Sequence, residues 1–226
     1  KGRPGVSERA AAGNQRPARK QQQRSIVTQQ KLLDAAVEAF SEIGFKGTST
    51  RDIADRAGVH HPLITYHFKN KDQLWRAAAD RIFREFNIAL VKATADIPED
   101  EPRARAETFI RTYVRYAHRQ PALHKFILQE SSHPSARLDW LVRNHLRPLF
   151  EIVVKSLQEL QEIGIAPPGD PALLFNMIRV SAGGLLALSE EIKGTSDIDF
   201  DSEDALNELA DMIIRCFLPG AAAGRY

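Results

Sequence analysis

Between residues 61 and 71, six side chains combine hydrogen-bonding, apolar and positively charged groups. They are His61, Leu63, Thr65, Tyr66, His67 and Lys71. Imidazole and hydroxyl groups can bond base edges or phosphate oxygens in a DNA major groove, a leucine can pack on a thymine methyl, and a lysine can bind phosphate. We expect this chemistry if one short helix presents these side chains to solvent and a lysine follows it.

The residues on either side predict two short helices joined by a tight turn. Ser49, followed three residues later by Asp52, is typical of a helix start, because each side chain can bond a free amide of the first turn. Gly58 ends this helix, since glycine enters the left-handed backbone region without steric cost. Pro62 fits the first turn of the second helix, where its missing amide hydrogen costs nothing. The pattern predicts a helix-turn-helix.

A longer pattern surrounds these two helices: AAVEAFSEIGFKGTS with Phe45, then STRDIADRAGV, then TYHFKNKDQLW. Over roughly residues 24 to 84 the chain therefore resembles the amino-terminal domain of the TetR family of transcriptional regulators. Several separate motifs recur together, which makes the match specific.

The resemblance implies which residues bind DNA. Those that match the phosphate-binding end of the second family helix are Thr48, Ser49, Thr50 and Arg51. Those that match positions of the recognition helix are His61, Pro62, Leu63, Thr65, Tyr66 and His67. Lys71 matches the lysine that opens helix four and binds a phosphate. The chain departs from the family at Thr65, where tyrosine is usual, and at Leu63, where a small or polar residue is common.

Charge is distributed unequally along the chain. Residues 1–84 carry 16 Lys and Arg against 8 Asp and Glu, a net charge of +8, and residues 85–226 carry 15 against 21, a net charge of −6, which together give the total of +2. A basic first part suits a polyanion such as DNA, whereas the acidic second part would be repelled by it.

The composition divides the chain into four parts. We expect a flexible basic arm at 1–23, the helix-turn-helix domain at 24–84, a helical effector-binding and dimerisation domain at 85–220 and a tail at 221–226. The arm has no apolar periodicity, so it either reaches a neighbouring minor groove or is a solvated tail.

The predicted fold class is all-α, with about nine helices and no strands. Besides the two short helices, the apolar periodicity and the proline- and glycine-containing breaks place them at about 26–43, 71–91, 102–119, 121–131, 135–163, 170–192 and 202–218.

The last two of these helices, about 170–192 and 202–218, carry extended apolar faces. In the TetR family the last two helices form a four-helix interface between two subunits, so the resemblance implies a homodimer. Ordinary core packing is the alternative. A symmetric dimer would also place two recognition helices in successive major grooves, about 34 Å apart.

The second part of the chain also contains aromatic residues in the helices that enclose small-molecule effectors in TetR-like proteins. They are Phe109, Tyr113, Tyr116, Phe126, Trp140, Phe150 and Phe175. An aromatic or otherwise apolar effector is the functional interpretation of this set, and core packing is the alternative for each residue.

No other chemistry is indicated. The spacings of His118, His124, His133 and His145 match no compact metal-ligand motif. The glycine-rich phosphate loops and a nucleophile–base constellation are absent, so we expect no metal, no cofactor and no enzymatic activity.

The sequence also predicts where the protein acts. The single cysteine, Cys216, excludes a disulfide framework, and we expect no membrane span and a cytoplasmic location. The predicted function is a homodimeric repressor that binds a palindromic operator and is released when a small-molecule effector changes the distance between its DNA-binding heads. A non-specific DNA-organising helical protein and a helical enzyme are the alternatives.

Overall fold

The chain is described here by a computed structural model that covers residues 15–219, with side chains from residue 21 onwards. Within this range nine helical segments occur and no strand does, which confirms the all-α fold class. The segments are α1 Gln15–Gly47, α2 Thr50–Ala57, α3 Pro62–Phe68, α4 Lys71–Thr94, α5 Pro102–Arg119, α6 Ala122–Ser131, α7 136–162, α8 Pro171–Ser196 and α9 Glu203–Phe217.

The helices form two compact units, and the boundary lies inside α4, between Ala78 and Ala79. The sequence places the boundary six residues later, after residue 84. The amino-terminal unit contains α1 to α3 and the first turns of α4, and the carboxyl-terminal unit contains the rest of the described chain.

The core of the amino-terminal unit is built by α1 and the helix-turn-helix. Leu32, Ala36 and Phe40 of α1 are fully buried, as are Ile53 of α2 and Ile64 of α3. These positions follow the helical periodicity of the sequence, so each helix turns one apolar stripe inward. The burial of these stripes fixes α3 to the rest of the unit and leaves its opposite face in solvent.

The start of α1 corrects part of the prediction for the basic arm. The helix begins at Gln15, so residues 15–23 are helical, whereas the sequence predicts a flexible segment. Residues 21–24 are exposed on all sides of this turn. Because the turn buries no side chain, its sequence shows no apolar periodicity. Residues 1–14 of the predicted arm and 221–226 of the predicted tail lie outside the described residues.

The carboxyl-terminal unit packs α5 against α9 and α7 against α8. Polar contacts join the first pair, with Arg111 2.6 Å from Asp211 and Arg115 2.8 Å from Asn207. Two helices of this unit each contain one π-helical turn, Val142–Leu146 in α7 and Val180–Gly184 in α8. Such turns are rare and often lie beside functional sites.

Segment α8 is unusually apolar for its length. Pro171–Ser196 is long and apolar enough, by length and composition, to cross a membrane, with 26 residues, a mean hydropathy of 1.5 in its most apolar window and 33% of that window buried. Polar Asn176 and charged Arg179 interrupt the apolar run of this segment. A core helix of a water-exposed bundle meets the same criteria, and α8 packs on α7 and α5.

Candidate nucleic-acid interface

The start of α2 is fixed by the predicted pair of polar residues. The Asp52 amide donates to the Ser49 hydroxyl at 3.1 Å, and the Ser49 amide donates to the Asp52 carboxylate at 3.2 Å. The hydrogen bonds from Ser49 hold the pKa of Asp52 below its usual range. This reciprocal arrangement satisfies two amides that the helix itself leaves free.

The turn between α2 and α3 has the predicted geometry. Gly58 lies in the left-handed region, with φ 63° and ψ 37°, and its amide donates to the last carbonyls of α2. Pro62 occupies the first turn of α3, as predicted. The chain therefore changes direction sharply within a few residues and leads into a helix of only two turns.

Helix α3 has one buried and one exposed face. Ile64 and Phe68 are buried, which pins the helix to the unit. On the other side Tyr66 is 75% exposed, His61 and Thr65 are exposed, and Leu63 and His67 are half-buried. The structure thus brings the recognition-helix residues inferred from the sequence onto one solvent-facing surface with imidazole, hydroxyl and apolar groups.

A hydrogen bond connects this surface to α2. The Thr50 hydroxyl lies 2.9 Å from Nε2 of His61, and both residues are at the exposed edge of the turn. The contact fixes the His61 ring relative to the start of α2, where Ser49 and Arg51 are also exposed. The two groups of inferred DNA contacts therefore lie side by side.

Thr48 is the exception among the inferred phosphate contacts. Its side chain is 2% exposed, and its hydroxyl donates to the carbonyls of Gly44 at 2.8 Å and Ala39 at 3.1 Å. A phosphate cannot reach this hydroxyl, so the assignment of the Thr48 side chain as a DNA contact is wrong. The hydroxyl instead closes the end of α1, where Gly44 leaves the helical conformation.

Lys71 is held in place by an aromatic ring. Its Nζ lies 4.4 Å from the ring centroid of Phe45, which is a cation–π distance. Phe45 itself stacks on Phe40 in the core, with centroids 5.9 Å apart. The half-buried lysine is thus placed at the start of α4 by a chain of packed rings, and sequence spacing alone gave no sign of this support.

Comparison with known proteins agrees with this geometry. A family model described as "Bacterial regulatory proteins, tetR family" matches residues 32–78, which include α2, α3 and the start of α4. The match identifies residues 32–78 as a domain of the tetR family. The HTH-type transcriptional regulator RutR of Escherichia coli (strain K12) is 23% identical over 189 residues, which cover 84% of this chain and 88% of RutR.

Solved structures share the fold of this chain. A complex of AibR with isovaleryl coenzyme A and operator DNA matches with a TM-score of 0.69 at 17% identity, covering 85% of this chain and 99% of AibR. A mutant of HlyIIR matches with a TM-score of 0.65 at 20% identity, covering 86% and 98% of the two chains. These structures show the fold alone. The tetR-family domain and the sequence relative RutR place the chain among DNA-binding transcriptional regulators, which are not enzymes.

The predicted effector residues do not form one group in the regulator's carboxyl-terminal unit. Phe109 lines a cavity of about 400 Å³. A second cavity, of about 310 Å³, is lined by Tyr113, Phe150 and Phe175. The remaining three, Tyr116, Phe126 and Trp140, line neither of these two cavities of the described chain.

Two of the histidines weighed above as metal ligands, His124 and His145, contact other side chains. Nε2 of His124 lies 3.2 Å from the Tyr113 hydroxyl, and Nε2 of His145 lies 2.8 Å from Asp80. Burial and, to a smaller extent, the nearby guanidinium of Arg179 lower the pKa of His124 to about 4. Among the described residues, no three His, Cys, Asp or Glu side chains are grouped as a metal ion requires.

Proposed function

We propose that the protein is a homodimeric repressor that binds a palindromic operator in the cytoplasm and is released by a small-molecule effector. The observation that carries the proposal is the exposed face of α3, where His61, Thr65 and Tyr66 point to solvent while Ile64 and Phe68 anchor the helix. Exposed donors, acceptors and an aromatic ring on an anchored two-turn helix suit readout of a major groove.

The division of roles on this surface follows from chemistry. His61, Leu63 and the residues after them on α3 contact base edges. Ser49, Thr50, Arg51 and Lys71 contact phosphates, which position the helix without reading sequence. The hydrogen bond between Thr50 and His61 ties the two roles together.

Dimerisation is supported by apolar side chains that α8 and α9 leave in solvent. They are Leu173, Met177, Val180, Leu185 and Leu188 of α8 and Met212 of α9. Large exposed apolar patches mark interaction sites. A second copy of the chain, covering this face around a two-fold axis, removes the patch from water and accounts for the apolar composition of α8.

Effector release is supported by the two cavities of the carboxyl-terminal unit, whose volumes fall in the range of small-molecule sites. The structural neighbour AibR was solved in complex with isovaleryl coenzyme A and operator DNA. An effector can release DNA only if it binds the conformation that does not bind DNA more tightly than the one that does.

The test compares base preference among variants. Selection from a pool of random duplexes should give a sharp motif for the wild type. We expect His61→Ala and Leu63→Ala each to relax the base preference at a single operator position. At that position, the free-energy difference between the preferred base and the others should fall by about 1–3 kcal/mol. Lys71→Ala should weaken binding to all sequences alike and lower the salt dependence, since phosphate contacts carry no sequence information.

The matched control is Lys92→Ala, which removes an exposed lysine of α4 from the carboxyl-terminal unit and should leave both properties unchanged. Unaltered motifs in the His61 and Leu63 variants would contradict the assignment of the recognition face. Steep salt dependence without any motif in the wild type would favour the DNA-organising alternative.

A further inference from the structure

The smaller of the two cavities of the carboxyl-terminal unit contains several aromatic side chains. Its volume is about 310 Å³, and five of its lining residues carry rings: Phe83, Phe86, Tyr113, Phe150 and Phe175. The rings form pairs, with Phe86 and Tyr113 centroids 5.3 Å apart and Phe150 and Phe175 centroids 5.4 Å apart at 80°. These separations are those of favourable edge-to-face and tilted contacts, which a further ring can extend.

Three charged residues line the same cavity: Arg147 and Glu151, which are exposed, and Arg179. Arg179, which lines it, is half-buried and is the only charged residue between residues 171 and 188. Its guanidinium donates to the amide oxygen of Asn176 at 3.3 Å, and it forms no ion pair with a carboxylate of the described chain. A half-buried guanidinium with one neutral partner retains donors that an anion can satisfy.

A buried hydrogen-bonding pair adjoins this charge. The Tyr113 hydroxyl and Nε2 of His124 lie 3.2 Å apart, and both residues are 5% exposed. Burial raises the pKa of Tyr113 above its usual range, so the phenol keeps its proton at neutral pH. When the imidazole carries its proton on Nε2 and donates to Tyr113, the phenol proton is free for a ligand in the cavity.

The position of His124 depends on the π-helical turn of α8. A Cβ atom on Gly183 would overlap the His124 ring, so the ring can lie against the backbone there only because residue 183 is glycine. Nδ1 of the same ring is buried and makes no hydrogen bond to a described residue. Gly183 and His124 are therefore positioning residues: the glycine makes room for the ring, and the ring contacts the Tyr113 hydroxyl.

We propose that this cavity binds a small monocarboxylate that carries an aromatic ring. The carboxylate accepts hydrogen bonds from Arg179 and Tyr113, and the ring packs among the phenylalanines. The inference rests on the proposed effector-released regulator and names the chemical class of its effector. Charge-assisted bonds to a guanidinium give orientation and specificity, while the aromatic wall contributes buried apolar area.

The test is calorimetric titration of the full chain with benzoate, phenylacetate and hydrocinnamate, each beside its uncharged primary amide. We expect at least one carboxylate to bind and its amide to bind more weakly. Arg179→Gln should weaken the carboxylate about tenfold or more, because it removes a bond between charged groups. Tyr113→Phe deletes only the hydroxyl and should weaken carboxylate binding several-fold. Because it keeps the ring, this variant tests the site even if Arg179→Gln fails to fold.

The matched control is Arg105→Gln, which changes a half-buried arginine of the other cavity and should leave carboxylate binding intact. The inference is overturned if no carboxylate binds the wild type, if the amides bind equally well, or if the Arg105 and Arg179 variants lose affinity alike.

Release of DNA is measured separately, by adding the bound carboxylate to the protein on a duplex that carries its selected motif. Carboxylate binding without DNA release supports the ligand class and contradicts effector-released repression. Sequence-specific DNA binding without carboxylate binding contradicts only the ligand class.

Discussion

Two threonines separated by a single residue, Thr48 and Thr50, act differently in this protein. The Thr48 hydroxyl is buried and bonded to two backbone carbonyls, whereas that of Thr50 is at the surface and bonded to His61. The resemblance to the TetR family assigned both to DNA. Only the packing of the end of α1 against α2 separates a structural hydroxyl from one available to a ligand.

We expect substitution of these two threonines by valine to have opposite consequences. Thr48→Val should lower the free energy of unfolding by about 1–3 kcal/mol, since two buried carbonyls lose a donor. Thr50→Val should change stability by less than about 0.5 kcal/mol but reduce operator affinity several-fold. Denaturant unfolding and DNA titration of both variants measure this. A Thr48 variant of unchanged stability with impaired DNA binding would restore Thr48 as a DNA contact.

His124 should make stability depend on pH. Its pKa is about 4 in the folded protein against an ordinary 6.5, so the unfolded chain binds more protons between these values. Stability that is present above pH 6.5 should therefore be lost as the pH falls toward 4. The expected loss is up to about 3 kcal/mol.

Denaturant unfolding at several pH values tests this expectation. His124→Gln should flatten the pH dependence between pH 6.5 and 4, and the exposed His133→Gln serves as a control for the substitution itself. If the pH dependence of the unfolding free energy persists unchanged in the His124 variant, other titratable groups cause it.

At the scale of the helices, local signals were sufficient to predict many boundaries. Ser49 with Asp52, Gly58 and Pro62 each act on their own turn, and the structure has α2 and α3 where these residues place them. The π-helical turns were not predictable in this way. The turn at Val180–Gly184 accommodates His124, which is distant in sequence, and no local pattern encodes such packing.

Gly58 should be essential to the helix-turn-helix for conformational reasons alone. A Cβ added at Gly58 would meet no atom within 4 Å, so space does not require glycine there. Its φ of 63° lies in the left-handed region, which other residues adopt only at a cost. We expect Gly58→Ala to destabilise the amino-terminal unit by about 1–2 kcal/mol, the cost of the left-handed conformation. Calorimetric unfolding measures this.

The control for that substitution is Gly47→Ala in the same unit. A Cβ on Gly47 would make only ordinary contacts with Ile43, and the residue has no positive φ. Its stability should be unchanged or slightly higher. Equal destabilisation of both variants would show that space, and not backbone conformation, limits these positions.

At the scale of the whole molecule, the apolar periodicity of the sequence predicted the helical fold, because it reports which side chains are buried throughout a chain. The candidate ligand site could be predicted from the sequence only in part. Three of its five rings are among the effector residues predicted from the sequence: Tyr113, Phe150 and Phe175. Phe83, Phe86 and Arg179 were not predicted as part of it, although a lone charge in an apolar helix is a usable signal. The partners of Arg179 come from distant helices, so their meeting depends on tertiary packing.

The proposed dimer predicts that one charge on α8 will separate the subunits. Met177 is 55% exposed and Ile163, outside the proposed interface, is 54% exposed. Met177→Glu should shift the protein to monomers and weaken operator binding, because two like charges would be buried near the two-fold axis. Ile163→Glu should remain dimeric. Analytical ultracentrifugation distinguishes these outcomes, and a dimeric Met177 variant would contradict the proposed interface.

The most direct measurement for a dimeric, sequence-reading regulator is selection of sheared genomic DNA by the purified protein at near-physiological salt, followed by sequencing. We expect a palindromic motif whose half-sites are separated by about one helical turn, or a multiple of it, in accordance with two recognition helices in successive major grooves. Retention of DNA without a shared motif would contradict this central claim and indicate binding through charge alone.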